Sequence, residues 1–190
     1  MWGLLMFGCN MTYHLHKTAC GRQKITYRRA TLDDHAAVVE ILRAAIRRLA
    51  LAGVPQWQQG YPNGDSIATD IGRGVGRVLC VGERVVAYGA VIATGEEAYN
   101  NIEGAWLTAG DYLVVHRLCV AEEFVGCGLG RHFLLAVEQE AVREGVQSVR
   151  VDTHADNRIM QHLLPALGYT YCGVIHYESP RMAFEKSIGV

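Results

Sequence analysis

The residues best suited to chemistry are three glycines at alternate positions. Gly126, Gly128 and Gly130 fall in the run Val120-Ala-Glu-Glu-Phe-Val-Gly-Cys-Gly-Leu-Gly-Arg131. Glycine lets the backbone take positive φ and approach a ligand closely. The run ends where an amphipathic helical pattern begins. The first amides of a helix have no partner inside the helix, and the dipole adds about half a positive charge there. Such a turn can hold a phosphate, or it can be structural only. Two other phosphate motifs fit less well. A dinucleotide fingerprint needs a glycine where Arg131 stands, and no P-loop signature occurs. Gly72, Gly74 and Gly76 also alternate. They lead into a strand pattern, lack a helix start, and read as a loop.

The elements that must position this turn are legible on both sides of it. Tyr112–Val120 is a strong apolar strand, and residues 129–144 form a helix with Leu129, Phe133, Leu134, Val137 and Ala141 on its apolar face. Upstream, 25–28 reads as a strand. A helix follows, capped by Thr31, with Asp33 and Asp34 in its first turn, and is closed by Gly53 and Pro55. Residues 66–71 read as a short helix, 77–82 and 85–94 as a strand pair, and 95–110 as a polar connection. Downstream come a strand at 148–152, a helix at 156–167 that contains Pro165, and closing strands at 169–178 and 181–186. This predicts one α/β (α+β) domain over 25–190, with a mixed, mostly antiparallel sheet flanked by helices. Residues 1–24 read as a poorly ordered N-terminal extension or an early start codon. MWGLLMFGCN is short and lacks a leading basic residue, so it is a poor signal peptide.

Composition narrows the function classes. The 190 residues are 50% hydrophobic and 19% charged with net charge −1. That is the balance of a globular domain with its own core. It argues against a nucleic-acid partner, and no apolar run is long enough to span a bilayer. The six cysteines form no CxxC pair, which points to free thiols in a reducing cytoplasm. Cys9, His14, His16 and Cys20 lack a second close-spaced pair for zinc. Asp152, His154 and Asp156 alternate and read as a strand end, with Asp156 capping the next helix, rather than as a metal site. No metal is expected.

The chain resembles the GNAT superfamily of N-acetyltransferases over about residues 25–187. The resemblance rests on the element order, the strand His116-Arg-Leu-Cys-Val120, the turn Val125-Gly-Cys-Gly-Leu-Gly130, and Asn157 followed by Leu167-Gly-Tyr169. It implies acetyl-CoA as co-substrate. Backbone amides of Gly126, Cys127, Gly128, Leu129, Gly130 and Arg131 would hold the pyrophosphate. The main chain of Leu118, Cys119 and Val120 would pair with the pantetheine arm, in a sheet split near Val120, and one of those amides would face the thioester oxygen. Asn157 would contact the cofactor from the next helix. Val125 replaces the Gln or Arg usual in the family, which implies weaker binding rather than none. Leu164 replaces the tyrosine that in many members protonates the departing thiolate.

The resemblance also places the catalytic candidates. His116 lies on the strand beside the thioester, two residues before Leu118 on what an unbroken strand makes the same face, and imidazole is suited to proton transfer at neutral pH. It is the first candidate base, with structural packing as the alternative. Tyr171 and Tyr177, on the closing strand, are substitutes. Cys119 and Cys127 read as small filler residues rather than nucleophiles. Trp57 and Tyr61 lie in the loop that borders the acceptor pocket, where they would clamp a substrate by stacking or cation–π contact, or anchor the loop. The expected activity is acetyl transfer to a primary amine of a small molecule or peptide, in the cytoplasm, without nucleic acid or membrane. The rivals are a non-catalytic acyl-CoA sensor on the same fold and a nucleotide-binding regulatory domain, the latter lacking the Asn157 block. The acceptor and the oligomeric state, a homodimer included, are left open.

Overall fold

A computed structural model describes residues 11–14, 24–93 and 96–189. They form nine strands: β1 (Met11–His14), β2 (Lys24–Arg29), β3 (Gly76–Val81), β4 (Arg84–Ala93), β5 (Glu103–Gly104), β6 (Tyr112–Val120), β7 (Ser148–Thr153), β8 (Thr170–His176) and β9 (Pro180–Ser187). The helices are α1 (His35–Leu51), α2 (Gly64–Gly72), α3 (Leu129–Glu144) and α4 (Arg158–Ala166). One sheet has the order β1-β2-β3-β4-β6-β7-β9-β8-β5. Every neighbouring pair is antiparallel except β6–β7, the two strands joined by α3.

The sheet buries both faces. On one, α3 packs Leu129, Phe133, Leu134 and Val137 against Leu79, Val91, Leu113 and Val115. On the other, Val38, Leu42 and Ala45 of α1 and Ile67 and Ile71 of α2 cover Val78, Cys80 and Tyr88. Beyond the α1 layer, that second face is closed by Tyr99, which packs with Tyr112, Val114, Ile175 and Ala183. The alternation of β6 explains the division: Leu113 and Val115 face α3, and Tyr112 and Val114 face Tyr99.

That alternation breaks within β6. Tyr88 pairs with Cys119 and Ala90 with His116, so Arg117 and Leu118 oppose Gly89 alone. This is a β-bulge, with Arg117 at φ +56°. The extra residue reverses the faces. Cys119 belongs to the α1 cluster, whereas Leu118 and Val120 pack on the α3 side. His116 meets Tyr99, so His116 and Leu118 lie on opposite faces, not on the shared face expected of an unbroken strand. Gly89 fits against α3 only without a side chain: a Cβ would lie 2.7 Å from Phe133 Cζ.

The bulge also opens the sheet. Parallel pairing of β6 with β7 ends at Val115 with Val151. The split therefore begins five residues before Val120, and 116–120 turn an unpaired edge toward β7.

Other boundaries shift for local reasons. Thr31 caps a 3-10 turn, Leu32–Asp34, which precedes α1. The Thr31 amide donates back to the Asp34 carboxylate at 2.8 Å, closing a capping box. Asn157, not Asp156, caps α4, because its side chain accepts from the Met160 amide at 3.3 Å. The 95–110 connection includes a 3-10 turn at Glu97–Asn101 and the short β5. Within the segment read as an N-terminal extension, Met11–His14 pairs antiparallel with β2, while 1–10 and 15–23 lie outside the described residues.

Candidate active site

The opening between β6 and β7 continues into a cavity of about 680 Å³. Leu118, Val151, Asn157 and Met160 line its inner side. The loop after α1 supplies Gln56, Trp57 and Tyr61, and His116, Glu96, Asp152 and Tyr177 lie at the other end. The candidates His116, Leu118, Asn157, Trp57, Tyr61 and Tyr177 thus share one cavity. Tyr171 does not line it; its ring packs edge-on against Phe184.

His116 is held between two acids. Nε2 lies 3.1 Å from Glu96 Oε2, and Nδ1 lies 3.8 Å from Asp152 Oδ1. The His116 hydrogen bond holds the Glu96 carboxyl below its ordinary range, against the effect of burial. An ionised carboxylate only accepts, so Nε2 donates to Glu96. Burial pushes the Asp152 carboxyl up, and Asp152 accepts from the Tyr99 hydroxyl at 2.8 Å. Burial, then the charges of Asp152 and Glu96, pushes the Tyr177 phenol up as well, so Tyr177 keeps its proton and serves as a donor.

Two residues other than glycine adopt positive φ among the described residues: Trp57 at +67° and Arg117 at +56°. Both line the cavity, which fits the tendency of strained backbone to collect at functional sites. Trp57 also packs on the α1 cluster, so the ring is both wall and anchor. Arg117 donates to Asp70 and to the Tyr61 hydroxyl, fixing Tyr61 at the cavity wall. Asn157 Nδ2 donates to Gln56 Oε1 at 3.2 Å, tying the α1 loop to the start of α4.

The glycine turn stands at the start of α3 and supplies none of the residues that line this cavity. Gly126 and Gly128 have φ of +83° and +77°, and a Cβ at either would meet no atom within 4 Å. Gly128 is the cap residue of α3, and no side chain occupies the cap. The turn therefore presents unobstructed backbone and free helix amides to the outside, a cradle fitting a pyrophosphate. Val125, at 47% exposure, puts an apolar side chain beside it.

The cysteines offer no nucleophile here. Burial pushes the Cys119 thiol up to about 12, so it stays protonated at neutral pH. Cys80, Cys119 and Cys172 are free, whereas Cys127 is disulfide-bonded, which corrects the expectation of free thiols at that residue. Among the described residues, no group of three or more His, Cys, Asp or Glu is placed to hold a metal, and no helix is long and apolar enough to cross a membrane. The cysteines and histidine of the zinc reading at 9, 16 and 20 lie outside the described residues.

In the sequence, Asp152 is legible only as one of an alternating acid–histidine set, not as a partner of His116. Glu96, Asp70 and Arg117 carry no local signal, because their roles arise from contacts between segments far apart in the chain.

The model of the acetyltransferase (GNAT) family matches residues 45–169. A GNAT-family acetyltransferase from Streptococcus agalactiae is 34% identical, with 87% of this chain and 96% of that chain covered and a TM-score of 0.79. A GNAT-family acetyltransferase from Listeria monocytogenes shares the fold at 16% identity, TM-score 0.73, covering 92% of this chain and 99% of its own. So does the PaiA N-acetyltransferase from Thermoplasma acidophilum in complex with coenzyme A, at 13% identity and TM-score 0.63, covering 86% of this chain and 98% of that one. No curated protein matches the sequence. The chain belongs to the GNAT acetyltransferase family, whose members are acyltransferases that use acetyl-CoA.

Proposed function

We propose that this protein is an N-acetyltransferase that moves the acetyl group of acetyl-CoA to a primary amine of a small molecule or peptide, by direct attack in a ternary complex. The observation that carries this reading is the single cavity joining the open edge of β6 to a histidine held between Glu96 and Asp152.

The amides of Gly126 and residues 128–131 hold the pyrophosphate, the Cys127 amide being taken by the Phe124 carbonyl at 3.1 Å, contrary to the expectation for that residue; the main chain of Leu118, Cys119 and Val120 pairs with the pantetheine arm, and Asn157 adds a contact from α4. Bound acetyl-CoA supplies an activated thioester and a thiol leaving group. The cavity holds the amine in line with it, an arrangement that can supply about 7–11 kcal/mol of the barrier. His116 takes the proton the amine must lose, directly or through one water, for about a 10²–10⁴-fold gain in rate. A β6 amide stabilises charge on the carbonyl oxygen without needing a side chain. Leu164 is fully buried in the main core and takes no part. A thiol of pKa near ~8.5 leaves without being fully protonated, and Tyr177 is the hydroxyl nearest in role.

A non-catalytic acyl-CoA sensor would need the glycine turn but not a histidine braced by two carboxylates, so the cluster favours the enzyme. Steady-state release of free coenzyme A across a panel of amines tests the choice. Amine-dependent release supports transfer; intact acetyl-CoA binding with no release for any amine returns the sensor reading.

A further inference from the structure

We infer that the acceptor carries a carboxylate as well as its amine, and that Arg181 binds that carboxylate; this rests on the acetyl-transfer reading above. Arg181, the second residue of β9, stands at the cavity wall. Its Nη1 is buried and has no hydrogen-bond partner. Among the described residues, its side chain makes no ion pair within 4 Å, although its charge is felt by Asp152.

The other buried guanidiniums nearby are committed. Arg117 is paired with Asp70 at 2.7 Å, and Arg150 with Glu185 at 3.1 Å. Two of the acids that line the cavity with Arg181 are engaged, Asp152 by Tyr99 and Glu96 by His116, while another, Glu178, is exposed and makes no ion pair with Arg181 within 4 Å. A buried guanidinium nitrogen left without a partner costs free energy, and its planar fork matches a carboxylate. Among the described residues, Arg181 is thus a half-buried guanidinium at the cavity wall with no carboxylate partner, and the ligand's carboxylate is what matches it.

Its position fixes the shape of that ligand. On the β7–β9 ladder Asp152 pairs with Ala183, so Arg181 is the diagonal neighbour on the same face as Asp152, and His116 faces Asp152 from β6. Diagonal neighbours are about 7–8 Å apart at the backbone, within reach of long side chains. An amine at His116 and a carboxylate at Arg181 therefore belong to one small molecule. A free amino acid has that form. A polyamine does not, because its second positive charge would face Arg181.

The test uses amino acids with varied side chains, each paired with its own carboxamide. Binding is measured by calorimetry with coenzyme A present, and transfer by release of coenzyme A from acetyl-CoA. The expected result is at least one acid favoured over its amide by ~10-fold or more, the scale of a hydrogen bond to a charged group. Arg181→Ala should bring that ratio close to one, while Arg181→Lys, which keeps the charge and loses the fork, should fall between. Both variants are compared at temperatures where melting curves show them folded. Equal or better handling of the amides by the wild type overturns the assignment and leaves acetyl transfer standing, as does discrimination that survives in Arg181→Ala. Binding of an acid that depends on Arg181, without release of coenzyme A, upholds the carboxylate site and removes the transfer reading. Failure of every acid to bind overturns the site.

Discussion

Arg117 and Asp70 form a two-point ion pair, Nε to Oδ2 at 2.9 Å and Nη2 to Oδ1 at 2.7 Å, with both side chains at most 10% exposed. The Tyr88 hydroxyl adds a third bond to Asp70 at 2.7 Å. The pair ties the bulge of β6 to α2, and through Arg117 it fixes Tyr61 at the cavity wall. Asp70→Ala leaves a buried guanidinium uncompensated and should cost about 3–5 kcal/mol in denaturant unfolding. Under conditions where the variant is folded, KM for the acceptor should rise while acetyl-CoA affinity holds. Unchanged stability would mean that water replaces the pair at no cost.

His116→Ala should lower turnover by about 10²–10⁴-fold with little change in acetyl-CoA affinity, because the imidazole lines the cavity with Trp57 and Tyr61 and is not part of the glycine turn. The limb of the pH–rate profile that reports the general base should disappear with it. Glu96→Gln should give a smaller loss, since it removes the partner that orients the ring. A profile and turnover that survive in His116→Ala would remove His116 as the base.

Gly128→Val should abolish acetyl-CoA binding by calorimetry. A branched Cβ would enter the open space above the turn, where a pyrophosphate would lie, at φ +77°. Gly74, at φ +69°, is a matched control. Valine there is strained too, by about 1–2 kcal/mol. Gly74→Val should lose stability yet keep affinity. Equal loss of affinity at both positions would make the first turn structural only.

Acid should destabilise the fold through Asp34. The Arg28 hydrogen bonds, at 2.7 and 2.8 Å, hold the Asp34 carboxyl below its ordinary value. A carboxylate with a lowered folded pKa stabilises fully above the unfolded value, and that contribution is lost as pH falls through the folded one. Asp34→Asn should therefore be less stable than wild type at neutral pH, and the gap should close below about pH 4. A gap constant with pH would show that the ion pair contributes nothing through charge.

The elements that carry strong local patterns are readable from the sequence. β6 and α3 follow from an unbroken apolar run and from a helical period that starts just after the second alternate glycine. The bulge is not readable, because nothing in His116-Arg-Leu-Cys announces an arginine at positive φ; the residue opposite it, Gly89, and the ring of Phe133 against which Gly89 packs lie on different elements. The same lack hides the site's electrostatics. His116 stands out by its residue type, but Glu96 sits in a stretch with no period, and Tyr99 looks like part of a polar loop until its burial between Tyr112 and Trp106 shows it to be core. Asp156 is the obvious cap by type and adjacency, yet Asn157 reaches the Met160 amide one residue later.

The most direct test of acetyl transfer in a ternary complex follows the label from acetyl-CoA carrying a labelled acetyl group, with and without an amine the enzyme accepts. The account predicts no label on the protein when the amine is absent, and stoichiometric transfer to the amine, with release of coenzyme A, when it is present. Label that accumulates on the protein without amine, or that reaches no amine while acetyl-CoA still binds, would contradict it.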